Sequence, residues 1–357
     1  MTGQDYTFLA GTALAVIITF LMVHTPSRRF LETWVAHVQI TFLSPVPNDD
    51  GPEVSAIYIY PVKSLQRVAV ESVNIDSLGL VGDRRFMLVV PSPAPTYACL
   101  PHDPTHKFVT QRQCPILATI SAQLQGDSLT LSCGNDAITI TKSTWKGNPK
   151  FRARIWSDVV AVQDVGDEVA AFLQTIITAE EGDGVRLVTI AGIRTTDDKY
   201  IPPEARTWTG ETPLTSLNDG FPILIACEAS LNEVNRRLKE KGKEEIPMSR
   251  FRPNIVIKNT QPFVEDTWKI IQIGDTILHL VKGCPRCKQS CTDQETGKVS
   301  DEPVNILGEF RALGKSPDEV YFAQNAIAYG KSVSVGTTIK VLKLGTPVWE
   351  IETLQGE

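Results

Sequence analysis

A chain of 357 residues with 42% hydrophobic and 21% charged side chains has the composition of a globular protein, long enough for two domains and a substantial core. Its formal net charge of −6 argues against a general nucleic-acid binder and for partners steered by local basic patches. Seven cysteines, an odd number without a small-scaffold framework, favour a reducing compartment.

Residues 8–23 carry no charge, and the stretch from Tyr6 to His24 is just long enough for a short membrane span. Asp5 precedes it and Arg28 and Arg29 follow, without the basic start or small-x-small site of a cleaved signal peptide. A retained anchor over residues 1–26 is expected, with the rest of the chain facing the cytosol; a buried core helix is the bland alternative. Residues 27–53 read as a mixed-face helix followed by the linker Ser44-Pro-Val-Pro-Asn-Asp-Asp-Gly-Pro52.

Strands are expected at 54–60, 68–75 and 86–90, then in short alternating runs at 109–112, 118–124, 128–131, 137–141, 152–155 and 159–162. An amphipathic helix over 167–177 and a strand at 185–190 complete a small antiparallel β domain, 54–190, whose first part, 54–85, is free to pack on the next domain instead. Tyr60-Pro-Val-Lys-Ser64 and the loop ending Asp83-Arg84-Arg85 leave neighbouring strands. Guanidinium forks suit phosphate, so a phosphorylated ligand is expected there; the bland reading of Lys63 and Ser64 is a solvated turn. Pro101 and Pro104 exclude a regular helix that would make a zinc pair of His102 and His106. Arg112 either points at the same ligand or lies on the surface.

The polar loop 194–215 has the length of a functional loop, and the turn Asn218-Asp-Gly-Phe-Pro222 leads into a strand at 223–226. Ser230-Leu-Asn-Glu233 reads as a capping box opening a helix to about Lys241. In Phe251-Arg-Pro-Asn-Ile-Val-Ile257, Arg252 and Asn254 stand at the mouth of a buried strand; Arg252 either serves a ligand or pairs with Glu265 or Asp266. Turn-strand repeats at 271–277 and 333–339 suggest a β-barrel over 191–351. After a strand at 276–281, Gly283 and Pro285 are expected to break the ladder and leave Cys284 and Cys287 on a loop. Cys284, Cys287 and Cys291 with His279 suggest either a structural zinc site or a redox site. No Rossmann fingerprint, P-loop, c-type haem motif or G-x-S-x-G elbow occurs, so electrons for any redox chemistry come from another protein.

Tyr60-Pro-Val-Lys-Ser64, Gly82-Asp-Arg-Arg-Phe86, Phe251-Arg-Pro-Asn-Ile-Val-Ile257, Cys284-Pro-Arg-Cys287 and Asp293-Gln-Glu-Thr-Gly297, in this order, resemble MOSC-domain proteins with their N-terminal β-barrel partner. With the apolar segment in front, the chain is similar to the amidoxime-reducing component family over nearly everything from 54 to 351. The resemblance implies an α+β, mainly β fold: a MOSC β-barrel and an N-terminal MOSC-type β domain, preceded by a transmembrane helix. It implies the molybdenum cofactor, a molybdopterin, with Cys287 as catalytic residue and the single protein thiolate to the metal. Lys63, Ser64 and Arg84 would grip the pterin and its phosphate, Arg85 standing in should Arg84 not, with Arg252 and Asn254 helping from the other side. Two departures stand out: Gly220 and Phe221 occupy a turn that often carries a hydroxyl pair, and Pro285 replaces a frequent serine beside Arg286. Cys284 is a rival ligand. The implied activity is reduction of N-hydroxylated compounds such as amidoximes, with nitrite a further candidate, on electrons from NADH through cytochrome b5 reductase and cytochrome b5. A sulfur or cofactor carrier without turnover, or a structural zinc protein, are the competing readings. The anchor suits the outer mitochondrial membrane and, as an alternative, the endoplasmic reticulum.

Overall fold

The structure, a computed structural model, describes residues 51–92, 104–207, 209–313 and 319–349. Eight strands form the largest sheet, in the order Ile339–Leu344, Trp268–Ile273, Thr276–Arg286, Val320–Tyr329, Ile223–Cys227, Ile255–Lys258, Glu53–Ile59 and Val68–Val70. The sheet curls back on itself, because Val54 N donates to Thr337 O at 3.0 Å and Gly336 N to Val54 O at 2.8 Å. Period-2 alternation gives it two buried faces. Ile223, Ile225, Cys227, Leu278 and Leu280 point into one apolar cluster with Val54, Ile57, Ile255 and Ile271. Ala226 and Phe322 point the other way, against Val234 and Leu238 of the helix Glu228–Glu240. That helix is the crossover between Ile223–Cys227 and Ile255–Lys258, which run parallel.

Five further strands, Lys150–Ile155, Asp158–Asp164, Arg186–Ile190, Phe86–Pro91 and His106–Phe108, close into a smaller barrel. Met87 and Val89 face Ala153, Val160 and Val188 inside it. Phe86, Leu88 and Val90 pack outward on Leu173 of the helix Asp167–Ile176 and on Leu129 and Leu131 of a three-stranded meander, Ser121–Gln125, Ser128–Cys133 and Asp136–Thr141. Burial on both faces explains the unbroken apolar run of residues 86–90. The fold is thus mainly β, with two barrels and few helices.

Several local expectations change. The proposed anchor at 1–26 lies outside the described residues; among those described, no helix is long and apolar enough to cross a membrane. Residues 109–112 turn rather than extend, the pairing strand being His106–Phe108. The strand after Thr276 does not stop at Gly283 but runs to Arg286, absorbing Gly283 and Pro285 through shifts of register against Val320–Tyr329. Ser230 is not a cap: the helix begins at Glu228, and the Ser230 hydroxyl donates to both Glu265 oxygens, at 2.7 and 3.0 Å. Asp266 takes Arg311 at 2.8 Å and Gln324 at 2.7 Å, so neither carboxylate is the partner of Arg252.

Burial holds the Glu265 carboxyl above its ordinary range, against the lowering effect of Ser230. The folded state therefore binds this proton more tightly than the unfolded chain. Its contribution favours folding most below the ordinary carboxylate pKa and is lost as pH rises through the folded value. Glu265→Gln is expected to flatten that part of the stability curve in urea titrations at successive pH values. An unchanged slope would contradict the assignment.

Candidate active site

Four loops meet where the two barrels face each other, and Asp83, on one of them, ties them together. Only 2% exposed, it accepts from Tyr60 N at 2.8 Å, Arg84 Nη1 at 2.6 Å, and the side-chain amides of Asn218 and Asn254, both at 3.1 Å. Ser64, Arg84 and Arg252 all adopt left-handed backbone, with φ of 71°, 45° and 54°. Side chains seldom tolerate that region, and such strain concentrates at functional sites. The Tyr60 ring has the Arg84 and Arg252 guanidinium carbons each 4.3 Å from its centroid. Arg252 Nη1 donates to Gln294 Oε1 at 2.7 Å and Nη2 to Leu65 O at 2.8 Å, and burial pushes its guanidinium down to about 10.

The turn after Thr215 is shaped by Arg194, whose guanidinium donates to the carbonyls of Ser216, Asn218 and Asp219 at 3.1, 2.5 and 2.8 Å. This brings Asp219 to Lys63 Nζ at 2.6 Å and to Trp156 Nε1 at 2.9 Å. Burial lowers the Lys63 ammonium, with Asp219 opposing. Burial raises Asp219, but Lys63 outweighs it and holds the carboxyl well below its usual range. The Asp219 side chain is 59% exposed, so solvent screens the pair and its share in stability is small.

Cys287 sits just past the strand end, half-buried. Its Sγ accepts from Arg112 Nε at 3.1 Å and Nη2 at 2.8 Å, and the same guanidinium lies 4.4 Å from the centre of the Trp156 ring. Arg286, the sequence neighbour, donates instead to Cys284 Sγ at 2.8 Å. The two thiols thus face one cleft, each with its own arginine.

Lys63, Ser64, Arg84, Gly220, Phe221, Arg252, Asn254, Pro285, Arg286 and Cys287 all line this cleft. Arg85 does not; it turns away to Asp76 at 2.8 Å and Leu80 O at 3.1 Å. Sequence reasoning left Arg112 open and missed Asp219, Arg250, Gln294 and Trp156. Arg250 lies beside a recognisable motif and Gln294 inside one, whereas Trp156 is a hairpin-turn residue that no local pattern marks. The expected zinc alternative finds no geometry: Cys291 and His279 are buried, and among the described residues no group of three or more His, Cys, Asp or Glu could hold a metal together.

Residues 51–180 match the MOSC N-terminal beta barrel domain and residues 214–345 the MOSC domain. The chain is 31% identical over 304 residues to mitochondrial amidoxime reducing component 2 of Rattus norvegicus, covering 84% of this chain and 83% of that protein. It is 29% identical to the Bos taurus component 2 over the same shares of both chains, 84% and 83%. Against mitochondrial amidoxime-reducing component 1 of Homo sapiens it is 28% identical, over 83% of this chain and 82% of that one. The chain belongs to the amidoxime-reducing component family of MOSC proteins.

The residues of this MOSC protein suit an anionic cofactor carrying a soft metal. Six cations, Lys63, Arg84, Arg112, Arg250, Arg252 and Arg286, face the cleft against one carboxylate, Asp219. Ser64 Oγ, Arg250 Nε and Arg286 Nε are buried there without a hydrogen-bond partner. Such groups are costly unless a ligand answers them.

Behind the cleft, the segment 345–349 braces the strand that ends at Arg286. Gly283 N donates to Val348 O at 2.8 Å, and a β-carbon at Gly283 would lie 2.4 Å from the Trp349 ring. Gly283→Ala is expected to cost about 1–3 kcal/mol as the indole is displaced. An unchanged thermal midpoint would show that the ring yields freely.

Proposed function

We propose that this MOSC protein is a molybdenum-cofactor-dependent reductase of N-hydroxylated compounds, amidoximes first and nitrite as a further substrate. Cytochrome b5 and NADH-cytochrome b5 reductase supply its electrons, and residues 1–26 anchor it in the outer mitochondrial membrane with the catalytic part facing the cytosol. One observation carries the reading: a thiol with an arginine on its sulfur stands in a cleft whose charge is six cations to one carboxylate. The names of the relatives support the substrate class.

Cys287 would hold the metal through Sγ, the soft donor such a metal prefers. Ser64, Arg250 and Arg286 have donor capacity left for the pterin and its phosphate, while Arg84 and Arg252, whose forks are engaged by protein oxygens, contribute field and fixed backbone. Asn254 orders the floor, donating to Tyr58 O at 3.0 Å and accepting from Leu224 N at 3.1 Å. Gly220 and Phe221 are presented by the turn that Arg194 shapes, and Pro285 rigidifies the approach to Cys287. The bound cofactor would supply two-electron cleavage of an N–O bond, consuming two protons and releasing water. Asp219 opposes the lowering that burial imposes on the Lys63 ammonium beside that chemistry.

Metal analysis decides the matter. Protein purified from a host that makes the pterin is expected to carry near-stoichiometric molybdenum and to reduce benzamidoxime on NADH through the cytochrome b5 system. Zinc alone would end the proposal, and bound pterin without turnover would favour the carrier reading.

A further inference from the structure

A second, open cavity adjoins the Cys287 cleft and shares Arg112, Asp219, Phe221 and Cys284 with it. A molecule reacting beside Cys287 can therefore extend into it without leaving the protein. At its rim stands Trp156, a large apolar side chain that is nevertheless 43% exposed.

Its position is unusually well determined for an exposed residue. It occupies the hairpin turn between Lys150–Ile155 and Asp158–Asp164, in left-handed backbone at φ 54°. Its Nε1 donates to Asp219 at 2.9 Å, the Arg112 guanidinium sits 4.4 Å from its ring centre, and Phe108 meets it edge-on at 4.8 Å. A strained backbone and three contacts thus hold an indole whose remaining surface is left to solvent. Exposed aromatic surface fixed in this way, on the wall of a cavity leading to reactive groups, is what a recognition platform requires.

The charges of the cavity select what would lie on it. Three cations, Arg112, Arg194 and Lys282, face three carboxylates. Asp158 is paired with Arg194 at 2.7 Å, Asp219 with Lys63 at 2.6 Å and Asp197 with Lys199 at 3.7 Å, while Arg112 lies on the Trp156 ring and Lys282 4.3 Å from the centre of the Tyr200 ring. Tyr200 and Phe221, in edge contact at 6.2 Å, add further aromatic wall. Paired charges and aromatic surface favour a flat, uncharged group.

We infer that Trp156 is a specificity-determining residue, the stacking surface for a flat, neutral π-system joined to the N-hydroxylated group of the substrate. This rests on the reductase reading for the identity of the reacting end only. Stacking of this kind is worth about tenfold in binding.

The test uses the whole protein and two variants, Trp156→Phe, which keeps a ring, and Trp156→Leu, which does not. Calorimetry with the O-methyl ether of benzamidoxime, which lacks the free N-hydroxyl, is expected to show about tenfold weaker binding to Trp156→Leu and largely restored binding to Trp156→Phe. In turnover, the preference for benzamidoxime over acetamidoxime in kcat/KM is expected to fall about tenfold in the leucine variant, through KM, and to return with phenylalanine. Equal binding by wild type and both variants overturns the inference even if turnover is robust. Ring-dependent binding with no turnover of any N-hydroxylated compound sustains it and removes the reductase reading instead. A leucine variant whose thermal midpoint and preference both match wild type also overturns it.

Discussion

Cys287→Ser is expected to yield a folded protein that carries no molybdenum and shows no measurable amidoxime reduction, a loss of at least about 10³-fold on the scale of removing a group essential to the reacting centre. Serine conserves the shape of the side chain but replaces a soft, polarisable donor by a hard one, and hard oxygen is a poor substitute at a molybdenum–thiolate bond. The fold should not notice. Cys287 is half-buried and stands outside the apolar clusters, and its sulfur is contacted by Arg112, which can donate equally to a hydroxyl. A thermal midpoint close to wild type, beside a metal content near zero, would separate ligand loss from misfolding. Cys284→Ser serves as the control, since Cys284 lies in the same cleft with Arg286 at 2.8 Å. Metal and activity retained in Cys287→Ser but lost in Cys284→Ser would move the ligand three residues back.

Asp83→Ala is expected to be the most damaging substitution for the architecture of the site. It removes an acceptor from four donors, Tyr60 N, Arg84 Nη1, and the amides of Asn218 and Asn254, of which the two amides keep Pro222 O and Tyr58 O. Removing one member of a buried, hydrogen-bonded ion pair costs about 3–5 kcal/mol, because the other charge stays behind uncompensated. Arg84 retains Asn254 Oδ1 at 2.9 Å, which places the expected loss near the lower end, about 3 kcal/mol. Because the four donors come from loops far apart in the chain, the same change should loosen the cleft and lower cofactor retention. Urea unfolding measures the first effect and metal content the second. Asp83→Asn, isosteric but able to accept through only one atom, should fall between. A loss below about 0.5 kcal/mol, the range of ordinary surface substitutions, would show that the loops are held by something else.

Much of this site was legible because its chemistry is carried by short motifs. Lys63 with Ser64, Arg84, Arg252 with Asn254, and Cys287 each stand where a strand gives way to a turn, and all of them line the cleft. Arg85 shows the limit. Two adjacent arginines are indistinguishable by type, and the left-handed backbone at Arg84, which sends one toward Asn254 and the next toward Asp76, is a conformational fact with no sequence mark. Arg252 misled in a different way: its acidic neighbours at 265 and 266 were taken by Ser230 and Arg311, contacts set by the packing of a helix against the sheet. The strand through Gly283 and Pro285 continued because a bulge placed the proline where no ladder donor was needed.

Alternating apolar strands, an amphipathic helix and the turn residues between them determined locally that this would be a β-rich protein with an antiparallel β domain and a β-barrel, since period and turn chemistry act over a few residues. The motifs likewise determined which chemical groups would be present. What only the tertiary structure decided was their company: that Arg112, and not the adjacent Arg286, would reach the Cys287 sulfur across 175 positions of chain, and that a tryptophan at an ordinary hairpin turn would lie against that same arginine. Such pairings depend on how the two barrels set their loops face to face, and a long-range contact of this kind leaves no periodicity or spacing in the chain from which it could be read.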